Sequence, residues 1–290
     1  MGLNIVFGID TTTAAAISGI LGILLFASPK MGGVLDNTAK VLGTVMLVLI
    51  GYVAFSTNPP VAEAATHAIV PTHYPWLATI TLIGGTVGGY ITFSGGHRLI
   101  DAGITGREHL KDVRRAAFMG MSVDAIVRIL LFLAVLGVVS MGFALDPKDP
   151  AGSAFLLGAG EIGHKLFGIV FFCAALTSVV GAAYTSVSFL KTLFKVVERY
   201  EKLTIMAFIF VSTCILIFIG KPATLLIVAG SVNGLILPVT LAVMLLATRK
   251  TNIVGDYKHN PVLFYTGWIV VLVTAYIGVT SLQGIAKLLG

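Results

Sequence analysis

The sequence predicts an all-α polytopic membrane protein with about eight transmembrane helices, and three observations carry that prediction. Of its 290 residues, 57% are apolar and only 11% are charged, with a mean hydropathy of +0.98; a soluble domain carries about 25% charge. The apolar runs reach on the order of 20 residues, enough to cross a roughly 30 Å hydrocarbon slab. The Lys and Arg residues also alternate from loop to loop, as the basic excess of cytoplasmic loops requires. The formal charge of +6 is spread over short loops rather than gathered in a stripe or tail, so nucleic acid is not an expected partner. The expected partner is the lipid bilayer.

Apolar runs bounded by Pro, Gly and charge place the spans at 11–27, 39–57, 75–96, 117–143, 164–190, 204–220, 222–247 and 262–286, within one membrane domain over 1–290. The first run follows Asp10 and Thr11 to Thr13 without a basic segment before it, so it does not read as a cleaved signal. The second ends at the Pro-rich loop Asn58, Pro59, Pro60. Loops after the first, third, fifth and seventh spans, with Lys40 at the edge of the second span, hold 14 of the 19 basic residues, against 4 in the alternate loops, at Lys165 on the edge of the fifth span and at the C-terminus. This asymmetry puts both termini outside and the segment around 97–116 in the cytoplasm. Cys173 and Cys214 fall inside apolar runs, where a thiol behaves as a small hydrophobe, so neither a disulfide nor a thiolate site is expected.

The third span is the most informative. Thr81 to Arg98 reads TLIGGTVGGYITFSGGHR, with Gly84, Gly85, Gly88 and Gly89 at mid-depth. Each Gly costs a helix interior about 1 kcal/mol relative to Ala, which favours a break in the helix there. Freed backbone groups survive in a membrane only when buried in protein or lining a polar cavity, as in transporters built on broken helices. Carbonyls at Gly85 and Thr86, with the Thr86 and Tyr90 hydroxyls, suit a hard divalent cation. The alternative is that Gly84 with Gly88, and Gly85 with Gly89, are small-xxx-small pairs for close helix packing.

Other polar candidates are fewer. Asp124 and Arg128 form an i, i+4 pair within the fourth span, read either as a proton or gating element or as a structural ion pair. His97 lies with Arg98 and Asp101 near the cytoplasmic end of the third span, either as a proton relay or as a solvated helix end. Thr177, Ser178, Tyr184, Thr185, Ser186 and Ser188 crowd the fifth span and either line an aqueous path or bond neighbouring helices. Asn233 is a lone amide in the seventh span, followed by Pro238, which removes a backbone donor. Glu63, His67 and His73 match no metal motif and read as solvated surface residues. No H-E-x-x-H, P-loop or G-x-S-x-G pattern occurs, so no enzyme and no cofactor are expected.

The stretches GGTVGGYITFSGGHRLIDAG, AALTSVVGAAYTSVSF and LPVTLAVMLLATRKTNIVGDYKHN together resemble the NRAMP divalent-metal transporters, in a divergent bacterial branch with a glycine-rich sixth helix. The resemblance covers nearly the whole chain. It implies a LeuT-like helical bundle whose helices four through eleven are present here and whose first three are not. It also implies secondary transport of manganese, iron or magnesium by alternating access, with protons as a coupled partner. The family's Ala-x-x-Met-Pro-His pattern falls on Gly85 to Tyr90. Gly85 keeps the carbonyl that meets the metal, Gly88 replaces the ligating Met, and Tyr90 replaces the His. Loss of the thioether removes the soft ligand, which makes magnesium-like selectivity plausible. The family's Asp-Pro-Gly-Asn motif, carried by its first helix, is absent. MGLNIVFG reads like the end of a third helix, so the expectation is a fragment or split gene, with a separate N-terminal half as partner. The competing reading is a non-transporting membrane scaffold or partner subunit.

Overall fold

The computed structural model describes residues 1–27, 31–87, 96, 99–100, 102–147 and 149–289, with side chains at 31–40 and 283–289 left aside. Their regular structure is helical: α1 (Gly2–Phe7), α2 (Thr11–Ala27), α3 (Met31–Ser56), α4 (Val61–Ile69), α5 (Trp76–Thr86), α6 (Leu110–Ser140), α7 (Pro150–Leu193), α8 (Lys195–Arg199), α9 (Glu201–Ile219), α10 (Pro222–Ala247), α11 (Thr251–Val254) and α12 (Pro261–Leu289). Seven of the expected spans fall on helices, and of the third, 75–96, the described part from 76 to 86 falls on α5. Among the described residues, five helices (α6, α7, α9, α10 and α12) are each long and apolar enough to cross a membrane, and α3 with α4 makes a sixth if the bent pair is one span. The other two expected spans fall on α2, of 17 residues, and α5, of 11. At 1.5 Å per residue, α5 as described reaches about 16 Å, roughly half the hydrocarbon core.

Three boundaries differ from the sequence expectation. The segment after Pro60, expected as loop, forms α4, at 102° to the membrane part of α3. The paired prolines, which lack backbone donors, end the first helix and seed the second. Glu63 and His67 then lie one turn apart on α4, exposed, with 3.8 Å between Oε1 and Nε2. The fifth span starts earlier than 164, because Asp149 caps the helix by accepting from the Gly152 N–H at 3.0 Å and Pro150 supplies a preset first residue. Gly160, at φ 66°, kinks this long helix, a left-handed conformation that only glycine adopts cheaply. α6 also begins earlier, at Leu110 rather than 117, so that its first turns carry the basic residues.

The helices gather into two compact units, residues 1–72 with 100–220, and residues 73–99 with 221–290. The first unit has its core where α3, α6 and α7 meet: Leu49, Ile50, Val53, Ala54, Ala134, Val138, Phe155 and Phe167, with the Phe155 and Phe167 rings stacked at 4.5 Å. A second cluster joins Ala183 and Val187 of α7 to Ile205 and Ile209 of α9, with Ile23 and Phe26 of α2 packed on it. The second unit is built from α5, α10 and α12, around buried Ile80, Ser231, Leu237, Val271 and Ile277. Much of the remaining apolar surface is open, including Phe118, Phe132, Phe218 and Leu226, as a surface facing lipid requires.

Candidate functional site

Within the second unit, α5 and α10 cross at glycines. A methyl group added at Gly84 would collide with the Gly230 carbonyl oxygen and the Gly234 nitrogen, and one added at Gly234 would lie 2.6 Å from the Ile80 carbonyl oxygen. Backbones approach this closely only where Cβ atoms are missing. Gly84 thus has a packing role, and its partners are the Gly230-x-x-x-Gly234 pair of α10 rather than a copy of its own spacing. That pair was legible in AGSVNG and is the signal the sequence reading passed over. Among the described residues, and leaving aside the backbone of its own helix, no atom lies within 4 Å of a Cβ added at Gly85.

A hydrogen bond clamps the crossing. Thr81 Oγ1 and Ser231 Oγ lie 2.8 Å apart, while Thr81 also reaches the Leu77 carbonyl at 2.7 Å and Ser231 the Ile227 carbonyl at 2.8 Å. Two hydroxyl protons serve these three contacts, so at any moment one hydroxyl donates across the helices and the other donates to its own helix. Ser231 is fully buried. α5 continues in helical geometry to Thr86, whose hydroxyl donates to the Leu82 carbonyl, and the Val87 N–H closes the last turn on Ile83 at 2.9 Å. Gly88, Tyr90, His97, Arg98 and Asp101 lie outside the described residues. Gly85 and Thr86 therefore stand at the end of the described helix, with no described neighbour packed against Gly85.

On α10, Asn233 is partly buried next to Gly234. Among the described residues its side chain has no hydrogen-bond partner, an arrangement that is costly in an apolar setting without water or a ligand. Four residues on from Gly234, Pro238 lacks the N–H that would bond the Gly234 carbonyl. Asn233 thus stands beside a backbone oxygen deprived of its usual helical donor.

In the first unit, Arg128 donates through Nε to Asp124 Oδ2 at 2.7 Å, as the i, i+4 spacing led one to expect. The two side chains remain 44% and 49% exposed, so the buried form of the structural reading is corrected: the pair lies open on the flank of α6. On the helical wheel it lies about 80° from the direction of Ala134 and Val138, which are buried. The polar residues of the fifth span divide. Thr177 and Ser178 line a cavity of about 650 Å³ between α3, α6 and α7, together with Thr44, Met46 and Val127. Thr185 and Ser186 are buried and donate to the carbonyls of Gly181 and Ala182 at 2.7 and 2.8 Å, and Ser188 is fully enclosed. The lining of that cavity is mostly apolar, and the Thr185 and Ser186 hydroxyls turn back onto their own helix. Among the described residues, no three His, Cys, Asp or Glu side chains converge in a way that would hold a metal, so the oxygen donors under consideration are carbonyls, hydroxyls and an amide.

Two bacterial membrane proteins align with almost the whole chain. An uncharacterized membrane protein of Bacillus subtilis, YcsG, is 49% identical over 282 residues, covering 97% of this chain and 70% of the relative. An uncharacterized membrane protein of Haemophilus influenzae is 50% identical over 275 residues, covering 95% of this chain and 69% of the relative. The profile of the Nramp family, described as natural resistance-associated macrophage protein-like, matches residues 1–283. With its all-helical membrane architecture and a match of that extent, this chain belongs to the Nramp family.

Proposed function

We propose that this chain moves a divalent metal cation across the membrane as a secondary transporter, by alternating access, with the ion meeting the end of α5. The observation that carries the proposal is the family match over residues 1–283, which supports divalent metal cation transport as the class of activity. The geometry supports a site on the second unit: α5 is welded to α10 at Gly84 while Gly85 stands clear of neighbours. In this reading the Gly85 and Thr86 carbonyls, the Thr86 and Tyr90 hydroxyls and the backbone at Gly88 supply oxygen ligands, and Asn233 lines the path. An oxygen set of this kind favours hard cations, magnesium before manganese or iron. Asp124, Arg128 and His97 are the proposed gating or proton-coupling groups. In the same reading the membrane is the bacterial plasma membrane, both termini are outside, and helices carrying the Asp-Pro-Gly-Asn motif supply the other half of the site.

The deciding experiment is uptake into proteoliposomes loaded with a metal-sensitive dye, using the chain alone and the chain co-reconstituted with three helices bearing that motif. Uptake above protein-free vesicles in either preparation supports the proposal; background uptake in both favours the scaffold reading. Gly88→Met restores a soft thioether and is expected to raise manganese binding relative to magnesium at least severalfold by isothermal titration. An unchanged ratio would remove Gly88 from the site.

A further inference from the structure

We infer that the start of α6 is a binding site for an anionic phospholipid. Lys111, Arg114 and Arg115 occupy the first turns of the helix, Arg107 precedes it, and all four are exposed. Among the described residues none of them forms an ion pair. Cations at a helix N-terminus oppose the macrodipole, so helix stability does not account for their placement. The acidic residues of this stretch, Glu108 and Asp112, are exposed as well, and Asp112 falls about a quarter-turn from Lys111.

The basic residues continue into an apolar stripe. At 3.6 residues per turn, Lys111, Arg115, Phe118, Ser122 and Ile129 share one side of α6, opposite the buried Ala134 and Val138. Phe118 is 68% exposed and Ile129 60%. The rise from Phe118 to Ile129 is about 16 Å at 1.5 Å per residue, close to the hydrocarbon of one leaflet, half of roughly 30 Å. One face of one helix therefore presents cations at the membrane surface and a leaflet-deep apolar strip beyond them. A glycerophospholipid with a net negative headgroup matches both parts. A protein partner would need acidic and apolar surface in the same register, and a free phosphate would use only the basic end.

The test is thermal unfolding and native mass spectrometry of the detergent-purified chain, titrated with phosphatidylglycerol, with phosphatidylcholine and with inorganic phosphate. The expected result is a raised midpoint and retained adducts with phosphatidylglycerol alone. R114Q/R115Q should weaken that binding by about fivefold per cation removed, whereas R114K/R115K, which keeps the charge, should retain it. K195Q/R199Q, with the same loss of net charge on α8, should leave it unchanged. Equal effects of the two lipids, an equal loss in K195Q/R199Q, or full reproduction by inorganic phosphate would each overturn the lipid site.

Discussion

Gly84 and Gly85 are neighbours with opposite surroundings, so the same substitution should act oppositely on them. Gly84→Ala must push α10 away from α5, and overpacking of this kind costs about 1–3 kcal/mol. Gly85→Ala meets open space and replaces a helical glycine, a change that stabilises by about 0.5–1 kcal/mol. Unfolding midpoints in detergent should therefore fall for the first and hold or rise for the second. A second residue-scale expectation concerns Asp10, which caps α2 by accepting from the Thr13 N–H at 2.9 Å. Its carboxyl is held below the ordinary value, first by the Thr13 side chain and then by that backbone bond. A depressed folded value means that the cap stabilises the protein above the unfolded pKa and loses that effect as pH falls through the folded one. The midpoint difference between wild type and Asp10→Ala should be full at neutral pH and close at the acid end; a difference that persists below the carboxylate range would refute the cap.

The α5–α10 pair gains its specificity from a few contacts along two apolar helices. Leucine-rich faces slide past one another at little cost in lipid, whereas a glycine crossing closed by a hydroxyl bridge fixes depth and rotation. Thr81→Val and Ser231→Ala, measured singly and together, should show a coupling of about 0.5–1.5 kcal/mol. Coupling near zero would mean that the 2.8 Å contact does not hold the helices. The long α7 illustrates the other side of helix-scale reading. Its core-facing start at Phe155 was invisible to a search for apolar spans, because Gly158 and Gly160 interrupt the run while the Asp149 cap and Pro150 start a helix nonetheless. α4 escaped for a related reason, being a short exposed helix set at an angle to its neighbour.

At the scale of the whole molecule, the basic-residue asymmetry carries the proposed orientation, and the aromatic residues mark interfaces without choosing a side. Tyr74 and Trp76 at the start of α5 contact one another at 4.4 Å, and Trp76 meets Tyr276 edge-on at 5.5 Å. Arg249 lies 4.2 Å from the Phe264 ring centroid at the entry to α12. Aromatic groups of this kind gather at membrane interfaces. If both termini are outside, as proposed, Lys221→Cys should react with an impermeant maleimide on intact cells and Glu108→Cys only after permeabilisation. The reverse pattern would invert the sidedness while leaving the helices unchanged.

Apolar run length and charge spacing by themselves determined that the chain is helical and that it belongs in a membrane, because a bilayer demands long apolar runs whose backbone groups are satisfied internally. The Asp124–Arg128 pair was legible for the same local reason, since a separation of one helical turn fixes neighbours without any tertiary information. Tertiary structure alone decided what each polar or small residue faces. It assigned Gly84 to a crossing and left Gly85 open, and it sent Thr177 and Ser178 to a cavity while Ser188 was enclosed. Residues one position apart on a helix point about 100° apart, and which of those directions meets a neighbouring helix depends on packing between segments distant in sequence.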